Sequence, residues 1–247
     1  MTYCVAISVN AGMVLCSDSR TNAGVDQIST YSKMFRYELG PDRQFVIMTA
    51  GNLATTQASM AQLKKDIRQK SLVNLGNVMT IGDAADYLGD VSVTQQDKHG
   101  GSSRSAFHAT FILGGQIGGS EHRIVMIYPE GNHITSSKDT PYLQIGESKY
   151  GKPILDRIVN LETSLDTAAL SALVSMDSTM RSNLSVGPPI ELALYKADSF
   201  SLECYYRFEE DSEYLRELKK SWDNRIREAF HKLPPINLKN SDYTRQE

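Results

Sequence analysis

The sequence predicts an α+β fold: two mainly antiparallel sheets packed face to face, with helix layers outside them. Three observations point there. Apolar alternation begins at the first residues, so the amino terminus is built into a sheet instead of fraying. The elements follow in the order strands, two helices, strands, two helices, strands, which face-to-face sheets with outer helices satisfy best. No internal repeat is present, and no linker is long enough to cut the 247 residues into separate domains. Residues 1–208 are therefore expected to form the main body, and residues 209–247 a helix and tail of the same domain.

Residues 2–9 and 13–18 read as a hairpin, because Asn10 and Gly12 separate two short apolar runs; Tyr3, Val5, Ile7 and Val9 share one face. A polar loop spans 19–27, and residues 28–33 and 35–39 are expected to pair as strands around a bend, followed by a turn at Gly40-Pro41-Asp42. The continuous apolar run 45–49 suits a strand buried on both faces. Ala50-Gly51-Asn52 ends it. A helix follows, with Leu53, Met60, Leu63 and Ile67 on one side and Lys64, Lys65 and Arg68 on the other. Strand, glycine and helix in succession expose backbone N–H groups.

A second helix is expected over 81–96, opened by a capping box at Thr80 and Asp83, with a flexible break at 99–103. Strands return at 107–113, 123–128 and 142–145, with a turn at 129–132. Two helices are expected over 148–159 and 163–181, the second opened by a capping box at Thr163 and Asp166. Strands at 190–196 and 200–208 close the body. The tail 211–233 carries Leu215, Leu218, Trp222, Ile226 and Phe230 at helical spacing, and Pro234-Pro235 stops it. Its single apolar stripe suits either packing on its own protomer or docking on a neighbour.

Composition removes several function classes. With 26 basic and 29 acidic residues interspersed, no basic stripe points to nucleic acid. Cys4, Cys16 and Cys204 are odd in number and far apart, which argues against a disulfide framework or a zinc cluster and for buried thiols in a reducing compartment. Neither a signal peptide nor a run of about 20 apolar residues is present, so a cytoplasmic protein without a membrane partner is expected. No metal or cofactor is expected. The five histidines lack metal spacing. The run Gly146-Glu-Ser-Lys-Tyr-Gly151-Lys152 fits a phosphate loop only until Pro153, where a magnesium-binding hydroxyl should stand, and is read as a strand-to-helix turn.

With no Gly-x-Ser-x-Gly elbow, a serine triad has no obvious home. Thr2 is then the candidate nucleophile. Only Met1 is expected to precede it, and removal of Met1 would free an α-amine of pKa roughly 7.7–8.0 that can take the Oγ proton without any histidine. Its β-methyl restricts χ1 and aims the Oγ. Position alone also suits an ordinary strand threonine.

Four segments together say more. The Thr2 strand, Ser17-Asp18-Ser-Arg20, the lysine of Ser32-Lys33-Met34, and Thr49-Ala50-Gly51 resemble the proteasome β subunits and the bacterial HslV peptidases. Gly146-Glu-Ser-Lys-Tyr-Gly-Lys-Pro153 and Ser182-Asn-Leu-Ser-Val-Gly-Pro-Pro189 resemble in particular the Anbu, or ancestral β-subunit, group. The resemblance runs from Thr2 to about Phe208. It implies an amino-terminal-nucleophile hydrolase fold, a four-layer αββα sandwich to which the C-terminal amphipathic helix is extra. It also implies Thr2 as nucleophile, its amine as base, Lys33 as the cation that lowers the hydroxyl's pKa, Asp18 as the group holding Lys33, and the Gly51 N–H as oxyanion donor.

Arg20, Ser148, Ser182 and Ser185 would be supporting residues. Compared with proteasome β subunits, Gly146-Glu147-Ser148 replaces a Gly-Ser-Gly, and Ser182 replaces the aspartate of an Asp-x-x-Ser-Gly in which Ser185 keeps its place. One carboxylate gained and one lost are expected to change the amine's pKa. The resemblance implies a self-compartmentalising threonine hydrolase of peptide or related amide bonds, working as a homo-oligomeric ring or helical assembly; any unfoldase partner is left open. Two readings from other classes stand beside it: an assembly or binding protein with an unused nucleophile, and an amidase for a small non-peptide substrate.

Overall fold

The computed structural model describes residues 1–22, 28–100, 105–202 and 204–236. The chain falls into two compact units, Met1–Asp211 and Ser212–Glu247. In chain order the first unit contains β1 (Tyr3–Val9), β2 (Gly12–Asp18), β3 (Arg20–Asn22), β4 (Ile28–Thr30), β5 (Met34–Glu38) and β6 (Arg43–Gly51). Helices α1 (Leu53–Gln69) and α2 (Ile81–Gly100) follow, then β7 (Ala109–Ile117), β8 (Arg123–Ile127), β9 (His133–Thr135) and β10 (Tyr142–Gly146). Helices α3 (Lys152–Ile158) and α4 (Leu165–Ser182) lead to β11 (Ile190–Lys196) and β12 (Cys204–Phe208). The second unit carries α5 (Glu213–His231).

Two five-stranded antiparallel sheets, ordered β10-β1-β2-β11-β12 and β5-β6-β7-β8-β9, make the inner layers. Along β6 the side chains alternate between two cores. Val46, Met48 and Ala50 join Leu15, Met13, Ile112 and Tyr195 between the sheets. Phe45 and Ile47 point the other way, among Leu63, Leu75 and Leu88 beneath α1 and α2. A strand covered on both faces has no polar side, which is why this run reads as unbroken apolar sequence. Helix α4 lies on β1, β2 and β11, with α3 against it. The Met1–Asp211 unit is therefore the expected four-layer αββα sandwich.

Local signals explain most boundaries. Asn52 caps α1, its side chain accepting from the Thr55 N–H at 3.0 Å. Thr80 and Asp83 bond reciprocally at 2.9 and 3.0 Å, so the expected capping box opens α2. Gly12 starts β2 at φ +144°, where a Cβ would collide with the Tyr195 carbonyl of β11.

Several expectations are corrected. The strands expected to pair around residue 34 do not: β4 pairs in a separate ribbon with β3, which lies in the supposed polar loop, and β5 joins β6. Part of that loop, residues 23–27, lies outside the described residues. Of the break expected at 99–103, His99 and Gly100 belong instead to α2, and residues 101–104 lie outside the described residues. β7 continues through Gly114 and Gly115 to Ile117 because a bare backbone is needed there, a Cβ on Gly115 falling 2.6 Å from the Phe45 ring and 2.7 Å from the Gln44 carbonyl. β9 was not anticipated, and β12 starts at Cys204 rather than at 200, with residue 203 outside the described residues.

Helix α3 starts at Lys152 rather than 148, with Pro153 in its first turn, where a missing N–H costs nothing. Ser164, not Thr163, caps α4: it accepts from the Thr167 N–H at 3.2 Å, while the Thr163 hydroxyl accepts from the Asn160 N–H at 3.0 Å. The substitution Ser164→Ala is expected to lower unfolding free energy by about 1 kcal/mol and Ser164→Asp to leave it nearly unchanged, as read by chemical denaturation.

Candidate active site

Thr2 immediately precedes β1, and the sheet fixes it through its backbone. Its carbonyl accepts from the Glu147 N–H at 2.8 Å, at the end of β10 where Tyr3 stands opposite Gly146. Gly146 has φ +82°, and a Cβ there would collide with the Thr2 carbonyl. The strand-to-helix turn that mimics a phosphate loop thus serves as the seat for Thr2. Tyr3, the next residue, is fully buried, and its hydroxyl meets the Ser175 hydroxyl and the Gln144 amide, both at 2.6 Å.

Asp18 ends β2 with 0% exposure. Its Oδ1 accepts from the Tyr3 N–H at 3.0 Å and from Lys33 Nζ at 2.7 Å, and its Oδ2 from the Gly187 N–H at 3.3 Å. Burial pushes the Asp18 carboxyl upward, and the Lys33 charge is the largest influence opposing it. Lys33, 7% exposed, also donates to the Arg20 carbonyl at 2.7 Å, so its ammonium is directed by two acceptors.

Gly51 closes β6 with φ +106°, a conformation that L side chains rarely adopt, and a Cβ there would collide with the His108 carbonyl. One cleft of about 500 Å³ is lined by Thr2, Lys33, Gly51, Arg20 and Glu147, with Met1 at its wall. Four sequence-derived candidates therefore converge on it, with Asp18 bonded to Lys33.

The remaining candidates sit elsewhere. Ser182 is the exposed last residue of α4, and neither Ser182, Ser185 nor Ser148 lines the cleft. The 182–187 segment is tied to the site by other atoms. Arg20 Nη1 donates to the Leu184 carbonyl at 2.9 Å, the Ser19 and Arg20 N–H groups donate to the Gly187 carbonyl, and the Gly187 N–H meets Asp18. Ser148 contributes its carbonyl, which accepts from the same Gln144 amide that reaches Tyr3. Gly187 and the Tyr3 N–H are the partners that reading the sequence missed; the glycine ahead of Pro188-Pro189 was the available signal for the first, and a backbone N–H leaves none for the second.

Comparison with known proteins places the fold in a family. A family profile described as "Proteasome subunit" matches residues 2–194. Among solved structures, Anbu from Yersinia bercovieri is 44% identical, covering 96% of this chain and 100% of that one, with a TM-score of 0.92. An Anbu (Gly-1) mutant from Hyphomicrobium sp. strain MC1 is 42% identical, covering 96% and 100%, with a TM-score of 0.90. The helical assembly of the Anbu complex from Pseudomonas aeruginosa is 41% identical, covering 96% and 98%, with a TM-score of 0.90. No curated protein matches.

Removing one member of a buried ion pair leaves the other charge uncompensated. Asp18→Asn is expected to destabilise the fold by about 3–5 kcal/mol, and adding Lys33→Met to recover much of that loss, as measured by urea unfolding of the single and double variants.

Proposed function

The chain belongs to the proteasome subunit family and, within it, to the Anbu group, and from that premise we propose that it is a threonine hydrolase of peptide or related amide bonds. The observation that carries the reading is the placement of Thr2, Lys33 and Gly51 on one cleft, with Asp18 locking Lys33. Removal of Met1 frees the Thr2 amine. That amine takes the Oγ proton as the oxygen attacks the substrate carbonyl. The Lys33 ammonium favours the developing negative charge on the oxygen, and the Gly51 N–H holds the oxyanion, a contribution of roughly 2.7–4 kcal/mol.

Collapse of the tetrahedral intermediate expels the amine half of the substrate, which takes the proton from the Thr2 ammonium. Water, deprotonated by the same amine, then attacks the acyl ester and restores Thr2 Oγ–H as the acid leaves. Glu147 lines this cleft beside Thr2.

The active form is a homo-oligomer. A relative 41% identical forms a helical assembly, and α5 offers a seam: it has no buried residue, with Ile226 46% and Phe230 70% exposed on its apolar stripe. Ile226→Glu with Phe230→Glu is expected to shift sedimentation velocity from assembled species to monomer; an unchanged distribution would remove α5 from the seam.

A β-lactone acylating agent followed by intact-mass analysis tests the chemistry. The expected result is protein without Met1 carrying one adduct on Thr2, formed faster as pH rises through roughly 7.7–8.0, abolished in Thr2→Ala and slowed in Lys33→Ala. Met1 retained throughout, with no adduct, would refute the reading.

A further inference from the structure

A second buried carboxylate stands behind the cleft. Glu191 lies in β11 opposite Ser17 and is 3% exposed. Among the described residues its partners are all neutral hydroxyls. Ser19 Oγ donates to Oε2 at 3.1 Å, while Ser32 Oγ, at 3.0 Å, and the Tyr205 hydroxyl donate to Oε1. The Ser32 hydroxyl is also 3.0 Å from the Met34 carbonyl, but its single proton goes to the stronger, charged acceptor. Burying a carboxylate is costly unless donors replace its water, and three hydroxyls do so here. Burial first, and then Glu191 itself, push the Tyr205 hydroxyl up to about 12, which keeps it a donor. The Arg36 guanidinium covers the Tyr205 ring at 3.8 Å.

The positions of these partners give the arrangement its meaning. Ser19 follows Asp18, and Ser32 precedes Lys33. We propose that Glu191 is a positioning residue for the Asp18–Lys33 pair: one buried carboxylate bonds the residue after the aspartate and the residue before the lysine, and so fixes the two backbones whose side chains must meet. Asp18 and Lys33 lie just outside the β3–β4 ribbon that joins their segments: Arg20 pairs with Thr30 and the Tyr31 N–H donates to the Ser19 carbonyl at 2.9 Å, while β2 itself pairs with β1 and β11 and the chain after Lys33 enters the other sheet. At the open end of that ribbon Glu191 adds a side-chain cross-link from β11, bonding Ser19 and Ser32 where the backbone pairing stops. An error of about 1 Å in placing a reacting group can lower a rate by roughly a hundredfold, so such a cross-link has leverage on chemistry it never touches.

The inference rests on the proposed role of Lys33 at Thr2, and two readouts separate them. In the full chain, Glu191→Met removes every acceptor at similar volume. It is expected to move the ¹⁵N resonance of the Lys33 ammonium, assigned with Lys33→Met, and to slow β-lactone acylation of Thr2 roughly tenfold or more. Glu191→Gln is the conservative rescue. Its Oε1 can accept from Ser32 and Tyr205 and its amide can donate to Ser19 Oγ, so resonance and rate should return close to those of the unmodified protein.

Should Glu191→Met not fold, Ser32→Ala with Tyr205→Phe removes two of the three bonds and is read the same way. An unchanged Lys33 resonance and an unchanged rate in either variant overturn the proposal, as does a Glu191→Gln protein as impaired as Glu191→Met. If the unmodified protein is never acylated, the Thr2 reading fails, and the Lys33 resonance alone still decides the role of Glu191.

Discussion

The buried ion pair between Asp18 and Lys33 is the contact on which the rest of the site depends. Two charges taken out of water stabilise little by themselves and are strongly destabilising when either is left alone. Their value here is geometric. The Asp18 carboxylate collects donors from three distant stretches: the Tyr3 N–H beside Thr2, the Lys33 ammonium, and the Gly187 N–H before β11. A group that must satisfy all three fixes the start of β1, the end of β2 and the turn into β11 relative to one another.

Bare backbone is the complementary constraint. Gly146 admits the Thr2 carbonyl, Gly51 turns the end of β6 toward α1, and Gly12 lets β11 pass over the first hairpin. At each of these positions φ is positive and a Cβ would strike a backbone oxygen. The sandwich thus delivers Thr2 and Gly51 to one cleft through close approaches of its main chain, and through Lys33 it delivers a charge. Precision of this kind belongs to strands and their ends more than to free loops.

Much of this was legible in the residues, for identifiable reasons. Thr2, Asp18, Lys33 and Gly51 occupy strand ends or the residue just beside one, where periodicity stops and a short pattern can be recognised. The helices were legible because caps such as Asn52 and Thr80 are local. Pairing was not. Residues 28–33 and 35–39 have strand-like composition, but nothing local says that β4 turns back on β3 while β5 crosses to the other sheet. Gly114 and Gly115 read as an end because the ring and carbonyl that demand them come from the neighbouring strand. Glu191 was invisible for the same reason: Ser19 is 172 residues away and Ser32 is 159 away. A glutamate in a strand announces neither its burial nor its partners.

The central claim is that this pair serves a Thr2 whose hydroxyl and amine act together. A crystal structure of the protein treated with a peptide epoxyketone tests it most directly, because that electrophile can close a ring only through both an Oγ and a free amine on one residue. The account predicts continuous density from both Thr2 atoms, with Lys33 Nζ still on Asp18 and the inhibitor's former ketone oxygen facing the Gly51 N–H. Thr2 unmodified behind an intact Met1, or an adduct on any other residue, would contradict it.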